Sequence, residues 1–125
     1  MPTATHITWF EIPVTDMDRA ITFYETVFQI KIKKVDFGTL KMGWFPPSDR
    51  EGAATGTLIE NEAYEPSENG TLLYFSTASI LAEQHRVIPA GGSILIEKRK
   101  IGPDQGFMAV CLDTEGNRFA LHASD

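Results

Sequence analysis

From His6 to Val14 the chain alternates. Thr8, Phe10, Ile12 and Val14 fall on one side, and Ile7, Trp9, Glu11 and Pro13 on the other. A period of two predicts a strand, and the first set is the better apolar surface for a helix to cover. The period then lengthens: Met17, Ala20, Ile21, Tyr24, Val27 and Phe28 recur at helical spacing. Thr15 or Asp16 supplies the N-cap oxygen, Asp18 adds negative charge to the first turn, and the helix is expected to end near Gln29. Two strands follow, Ile30 to Phe37 and Thr39 to Phe45, with Gly38 turning between them and lysines placing the first near an edge. Pro46-Pro47 stops the second strand, Ser48 to Gly52 is a polar loop, and Ala54 to Glu60 is a short strand.

Residues 61–69 are polar and acidic, contain Pro66, and read as a surface linker. The order then repeats. Thr71 to Thr77 is a strand, and Ser79 caps a helix to about Val87, with Ile80, Leu81, Val87 and Ile88 as its apolar stripe. Ser93 to Glu97 is a strand, Gly102 to Gly106 a turn, Phe107 to Leu112 a continuous apolar strand. Asp113 to Gly116 turns the chain into a last strand, Arg118 to His122. At a spacing of 63 residues, Phe10 falls on Leu73, Ile12 on Phe75, Val14 on Thr77 and the cap Asp16 on Ser79. The helix faces agree less well, since Ala20 meets Glu83 and Phe23 meets Arg86. Strand, helix and three strands, given twice, predict an α+β fold of two tandem βαβββ modules, about residues 5–60 and 70–125. A ferredoxin-like barrel of similar length is the competing fold, but it accounts for fewer strands.

Composition narrows the function. At 125 residues the chain makes one domain with a real core, and 42% hydrophobic with 22% charged residues is ordinary for a globular protein. The net charge of −6, with no basic cluster larger than Lys98-Arg99-Lys100, argues against nucleic-acid or anionic-membrane partners. The lone Cys111 excludes an intrachain disulfide and a thiolate zinc cage, and its apolar neighbours make it a small buried hydrophobe. The first residues lack a basic segment followed by an apolar core, and no window approaches the ~18 apolar residues of a membrane span. A cytoplasmic location is expected. There is no Gly-x-Gly-x-x-Gly after a strand, no phosphate-binding loop and no Gly-x-Ser-x-Gly elbow.

The segments Phe10 to Asp16, Arg19-Ala20, Phe23-Tyr24-Glu25 and Val27-Phe28 resemble a known family. So do Ala90-Gly91-Gly92, Gly102 to Gly106, Asp113 to Asn117 and Leu121-His122 in the second half. The chain is similar along nearly its whole length to the vicinal-oxygen-chelate superfamily of glyoxalases, bleomycin-resistance proteins and ring-cleaving dioxygenases. The resemblance implies sheets curled around a shared cleft, and a homodimer. Members that bind a divalent metal place a His on the first strand of a module and a Glu on its last. Carried over one position at a time, three of those four places hold Trp9, Leu72 and Ala120, none of which can ligate. The fourth lies on the strand from Ala54 to Glu60 and is left unassigned, with Glu60 as a candidate. No metal or other cofactor is therefore expected. The alternative is a rearranged site of Glu11, Glu60 and His122.

Strand parity puts Trp9 and Glu11 on the cleft face of the first strand, Leu72, Tyr74 and Ser76 on the fifth, and Arg118, Ala120 and His122 on the last. Trp44 falls on either side of its strand. Trp9, Glu11, Trp44, Glu60, Tyr74, Arg118 and His122 are thus the candidate ligand-binding residues, and Glu11 the candidate base. Each has a plainer reading: Trp9 packs, Glu11 pairs with a cation, Arg118 is solvated after its turn, and His122 is solvated or in a dimer interface. The expected function is binding of a small organic molecule in the cleft without the usual metal. A metal-dependent lyase, isomerase or dioxygenase with a rearranged site, and a non-catalytic dimerising module, are the alternatives.

Overall fold

The computed structural model describes residues 5–48, 50 and 52–125. In the loop expected from Ser48 to Gly52, Asp49 and Glu51 lie outside the described residues. The first module runs β1 (Trp9–Pro13), α1 (Met17–Phe28), β2 (Lys33–Asp36), β3 (Lys41–Trp44), β4 (Thr55–Glu60). The second runs β5 (Tyr74–Ser76), α2 (Ile80–Val87), β6 (Ser93–Lys100), β7 (Phe107–Leu112), β8 (Arg118–Ala123). Each module makes its own four-stranded sheet, in the orders β1-β4-β3-β2 and β5-β8-β7-β6, with the outer pairs β1/β4 and β5/β8 parallel. The two sheets do not join into one ladder.

The 63-residue repeat survives in the register. Glu11 pairs with Thr57 as Tyr74 pairs with Ala120, and Pro13 pairs with Ile59 as Ser76 pairs with His122. The caps repeat too. Asp16 accepts the Arg19 amide at 3.1 Å and Ser79 accepts the Ala82 amide at 3.2 Å, each satisfying a donor that a helix start leaves free. At its other end α1 stops on Gln29, which takes a left-handed conformation (φ 57°).

Helix-facing residues of both modules form one continuous core. Ile12, Val14, Leu58, Phe119 and Leu121 from the strands meet Met17, Ala20, Phe23, Tyr24 and Val27 of α1 and Ile80 and Val87 of α2. The helices touch each other, and Arg86 on α2 donates its Nε to the Val27 carbonyl of α1 at 2.9 Å. A second clasp joins the modules at the start of α1. Glu115, in the turn before β8, accepts the Thr15 and Asp16 amides (2.9 and 3.0 Å) and an Arg19 Nε bond of 2.7 Å. Tyr24 makes a third link, its hydroxyl donating to Asp113 at 2.6 Å inside the core.

Four elements differ from the sequence reading, the first being β2, which covers only Lys33–Asp36 of the expected Ile30 to Phe37. On α2 only Ile80 and Val87 are buried, while Leu81 and Ile88 point to solvent, because the face between the buried pair carries Glu83 and Gln84. β5 is shorter than expected, pairing with β8 only from Tyr74 to Ser76. β6 is longer, and register shifts on either side of Ile96 break its alternation. Ile94 therefore packs on the main core, while Ile96 packs on the opposite side of the sheet.

Candidate functional site

The open faces of the two sheets carry different chemistry. On the first sheet, register puts Trp9 and Glu11 of β1, Thr57 of β4 and Trp44 of β3 on one side. Trp44, which parity left undecided, thus shares a face with Trp9. Their rings meet edge to face with centroids 5.0 Å apart, the geometry that aromatic quadrupoles favour. Both indoles stay partly open, at 38% and 41% exposure, whereas Thr57 on the same face is fully enclosed. On the second sheet Met108, Val110 and Ala120 form a small buried apolar floor, against which Leu72 and Ile96 pack.

A groove of about 440 Å³ runs beside the free edge of β1 and brings three candidates together: Trp9, Glu11 and Arg118. Its walls include Phe10 and Leu73, and its inner end reaches Tyr24 and Asn117. Asn117 is fixed there, donating to the Pro13 carbonyl at 2.7 Å and holding the Ser67 amide at 3.0 Å. Burial, and then the Asp113 carboxylate, push the Tyr24 hydroxyl well above the ordinary phenol range, so it remains a proton donor. Arg118 has one feature of note: its Nε is enclosed and has no hydrogen-bond partner among the described residues. Buried donors are nearly always paired, so a guanidinium nitrogen without a protein partner is a donor suited to an acceptor from outside the chain.

The remaining candidates lie elsewhere. Tyr74 is half exposed on an outer strand and does not line the groove. His122 places Nε2 2.7 Å from the Gln105 carbonyl; a carbonyl only accepts, so that nitrogen donates and is tied to the turn before β7. Glu60 is not on the cleft side. Its Oε1 accepts the Met17 amide at 2.9 Å, beneath the start of α1, where the positive end of the helix favours a carboxylate. The face expected for Glu60 is corrected by register: Thr57 and Ile59 take the open side of β4, and Glu60 follows on the other. Glu11, Glu60 and His122 are not gathered into one site.

The same register fills the fourth metal position. Ala120 pairs with Tyr74, and the equivalent partner of Glu11 on β4 is Thr57. Its Oγ1 lies 2.9 Å from the Gly43 carbonyl and 2.7 Å from that of Leu58, and is already engaged. The four places therefore hold Trp9, Thr57, Leu72 and Ala120, a set that does not fit a divalent cation. Among the described residues no three His, Cys, Asp or Glu side chains converge. Cys111 is buried, and that burial raises its thiol to about 11, far from a reactive thiolate. Among the described residues no helix is long and apolar enough to cross a membrane.

Comparison with known proteins agrees with this architecture. The sequence profile of the Glyoxalase/Bleomycin resistance protein/Dioxygenase superfamily matches residues 6–121. A glyoxylase-like domain-containing protein of Didymella fabae is 29% identical over 123 residues, spanning 92% of this chain and 91% of its own. Among solved structures, glyoxalase I from Zea mays superposes with a TM-score of 0.73 at 21% identity, covering 93% of this chain but 45% of the maize one. This chain thus spans less than half the length of that enzyme. A glyoxalase/bleomycin resistance protein/dioxygenase family enzyme from Burkholderia phytofirmans gives a TM-score of 0.69 at 19% identity, covering 97% of this chain and all of its own. At these identities the likeness is one of fold.

Proposed function

This chain belongs to the glyoxalase/bleomycin resistance protein/dioxygenase superfamily, and from that premise we propose that it binds a small organic molecule in the Trp9–Arg118 groove without a divalent metal. The ligand is largely apolar and flat, and carries a carboxylate or carbonyl oxygen. The observation that supports this reading is the enclosed, unpartnered Nε of Arg118 beside an exposed indole. A groove with apolar walls and a few polar groups, Glu11 and Glu65 among them, suits a hydrophobic body whose acceptor lies at the Arg118 end. The donor chemistry of Trp9, Thr57, Leu72 and Ala120 supports the metal-free part.

The probe is 2-naphthoate, followed by tryptophan fluorescence because Trp9 and Trp44 sit side by side. Naphthoate is expected to bind the dialysed protein, and Arg118→Ala to weaken it about tenfold or more, the worth of one charge-assisted hydrogen bond. Equal affinity in the variant would remove Arg118 from the site. Titrating Ni, Zn, Fe and Mn into the same dialysed protein should give no tight stoichiometric binding; one such metal would sink the metal-free part.

A second reading rests on a separate observation. Ile7, Trp9, Trp44, Phe37 and Tyr74 are all large apolar side chains more than a third exposed, and several share the open side of the first sheet. Exposed apolar patches of this kind mark surfaces that associate. The open sheet faces are therefore covered in a two-fold homodimer, the commonest assembly. Sedimentation equilibrium should return twice the monomer mass of 13.9 kDa, and a monomer at micromolar concentration would reject this.

A further inference from the structure

One break in the internal repeat has a structural consequence away from the open sheet faces. Where α1 carries Ala20, fully buried on its inner face, α2 carries Glu83. A carboxylate there is carried between Ile80 and Val87, the two buried residues of its helix. It borders a cavity of about 260 Å³ between the modules, whose walls include Phe10, Phe28, Phe45 and Phe75. The rings are close-set: Phe28 to Phe75 is 5.0 Å, Phe10 to Phe45 is 5.4 Å and Phe10 to Phe75 is 5.7 Å between centroids. Glu83 Oε1 is enclosed and has no hydrogen-bond partner among the described residues.

The Thr77 hydroxyl and the Arg86 charge favour the ionised carboxylate, but an enclosed oxygen without a hydrogen bond of its own is still costly, which leaves a place for a partner from outside the chain. Arg86, one turn further along α2, does not form an ion pair with it among the described residues; its Nε is committed to the Val27 carbonyl. A water molecule would satisfy the oxygen but would make no use of the four phenyl rings beside it. A cation with an apolar body satisfies both, because aromatic rings attract cations as well as hydrocarbon. The volume is below the about 300 Å³ at which pockets for drug-sized ligands begin, which limits the occupant to a small molecule.

We propose that this cavity binds a small hydrophobic amine, its ammonium held by the Glu83 carboxylate and its hydrocarbon packed among Phe10, Phe28, Phe45 and Phe75. The electrostatics agree in direction. Burial raises the Glu83 carboxyl above its ordinary range, while the Thr77 hydroxyl and Arg86 oppose that rise. A bound ammonium would oppose it further.

The probe is benzylamine, with benzyl alcohol as its neutral counterpart, each titrated into isotopically labelled protein at pH 7 by NMR. Benzylamine should bind more tightly than the alcohol and shift resonances of Phe75 and α2. Glu83→Gln should weaken benzylamine about tenfold or more and leave the alcohol unchanged, since only the charged partner is lost. Phe45→Leu, which keeps the carboxylate and removes one ring, should weaken the amine about threefold. Arg118→Ala should change neither, which separates this site from the groove on the other side of β1. Equal binding of amine and alcohol, an unaltered amine affinity in Glu83→Gln, or no binding of the amine to folded protein would each overturn the proposal.

Discussion

Phe119→Ala should cost about 3–5 kcal/mol of unfolding free energy, the usual loss when a buried phenyl ring is removed and its space only partly refills. The ring is 1% exposed and lies where the modules meet. Its centroid is 5.6 to 6.4 Å from those of Phe23, Tyr24, Phe28 and Phe75. Three of these partners belong to α1 and one to β5, so the ring joins a helix of the first module to two strands of the second. Urea denaturation followed by circular dichroism measures the loss. Leu81→Ala, exposed on α2, should stay within about 0.5 kcal/mol and is the control. A loss for Phe119→Ala no larger than the control's would mean that the modules do not depend on this shared core.

The second large effect is electrostatic. Glu115→Ala should cost about 2–3 kcal/mol, because the amides of Thr15 and Asp16 lose an acceptor at the start of α1 and Arg19 loses its ion pair. Arg19 is half exposed and can be rehydrated, which keeps the figure below that of a fully buried pair. Burial pushes the Glu115 carboxyl upward. Hydrogen bonds from Arg19, Thr114, Thr15 and Asp16 outweigh that and hold it at about 2. A carboxyl whose folded value lies below its unfolded value of about 4.3 contributes stability above the unfolded value and loses it as pH falls toward the folded one. Wild-type stability should therefore fall between about pH 4.5 and 2. Glu115→Gln, which cannot titrate, should be less stable at pH 7 and show a flatter profile over that window. Parallel profiles for the two proteins would rule out Glu115 as the source of the slope. The subtraction is needed because other acids, such as Asp18 lowered by its bond to Lys34, contribute to the raw curve.

Which side of each strand faced the core was readable in advance at Phe10, Ile12, Phe119 and Leu121, because a period of two is a local property. The caps Asp16 and Ser79 were readable for the same reason, since each acts on an amide three residues away. The stripe on α2 was misjudged at Leu81 and Ile88. Their apolar character is local, but the direction the helix turns toward the core is set by what it packs on. Glu60 was misplaced for a related reason. A carboxylate at a strand end reads equally well on either face until the start of α1 is seen above it.

The sequence alone determined two βαβββ modules, their spacing of 63 residues and the buried faces of β1, β5 and β8, and it put Trp9, Leu72 and Ala120 where the family resemblance implies ligands. These follow from periodicity, from capping and turn chemistry, and from position-by-position resemblance. Only the tertiary structure decided that Thr57 fills the fourth position, that Arg118 joins Trp9 and Glu11 in a groove while His122 and Glu60 are engaged elsewhere, and that Glu83 stands at a cavity of phenyl rings. Each of those depends on strand register or on contact between the two modules. Alternation along a strand records which face a side chain takes, but not which distant side chain it meets there.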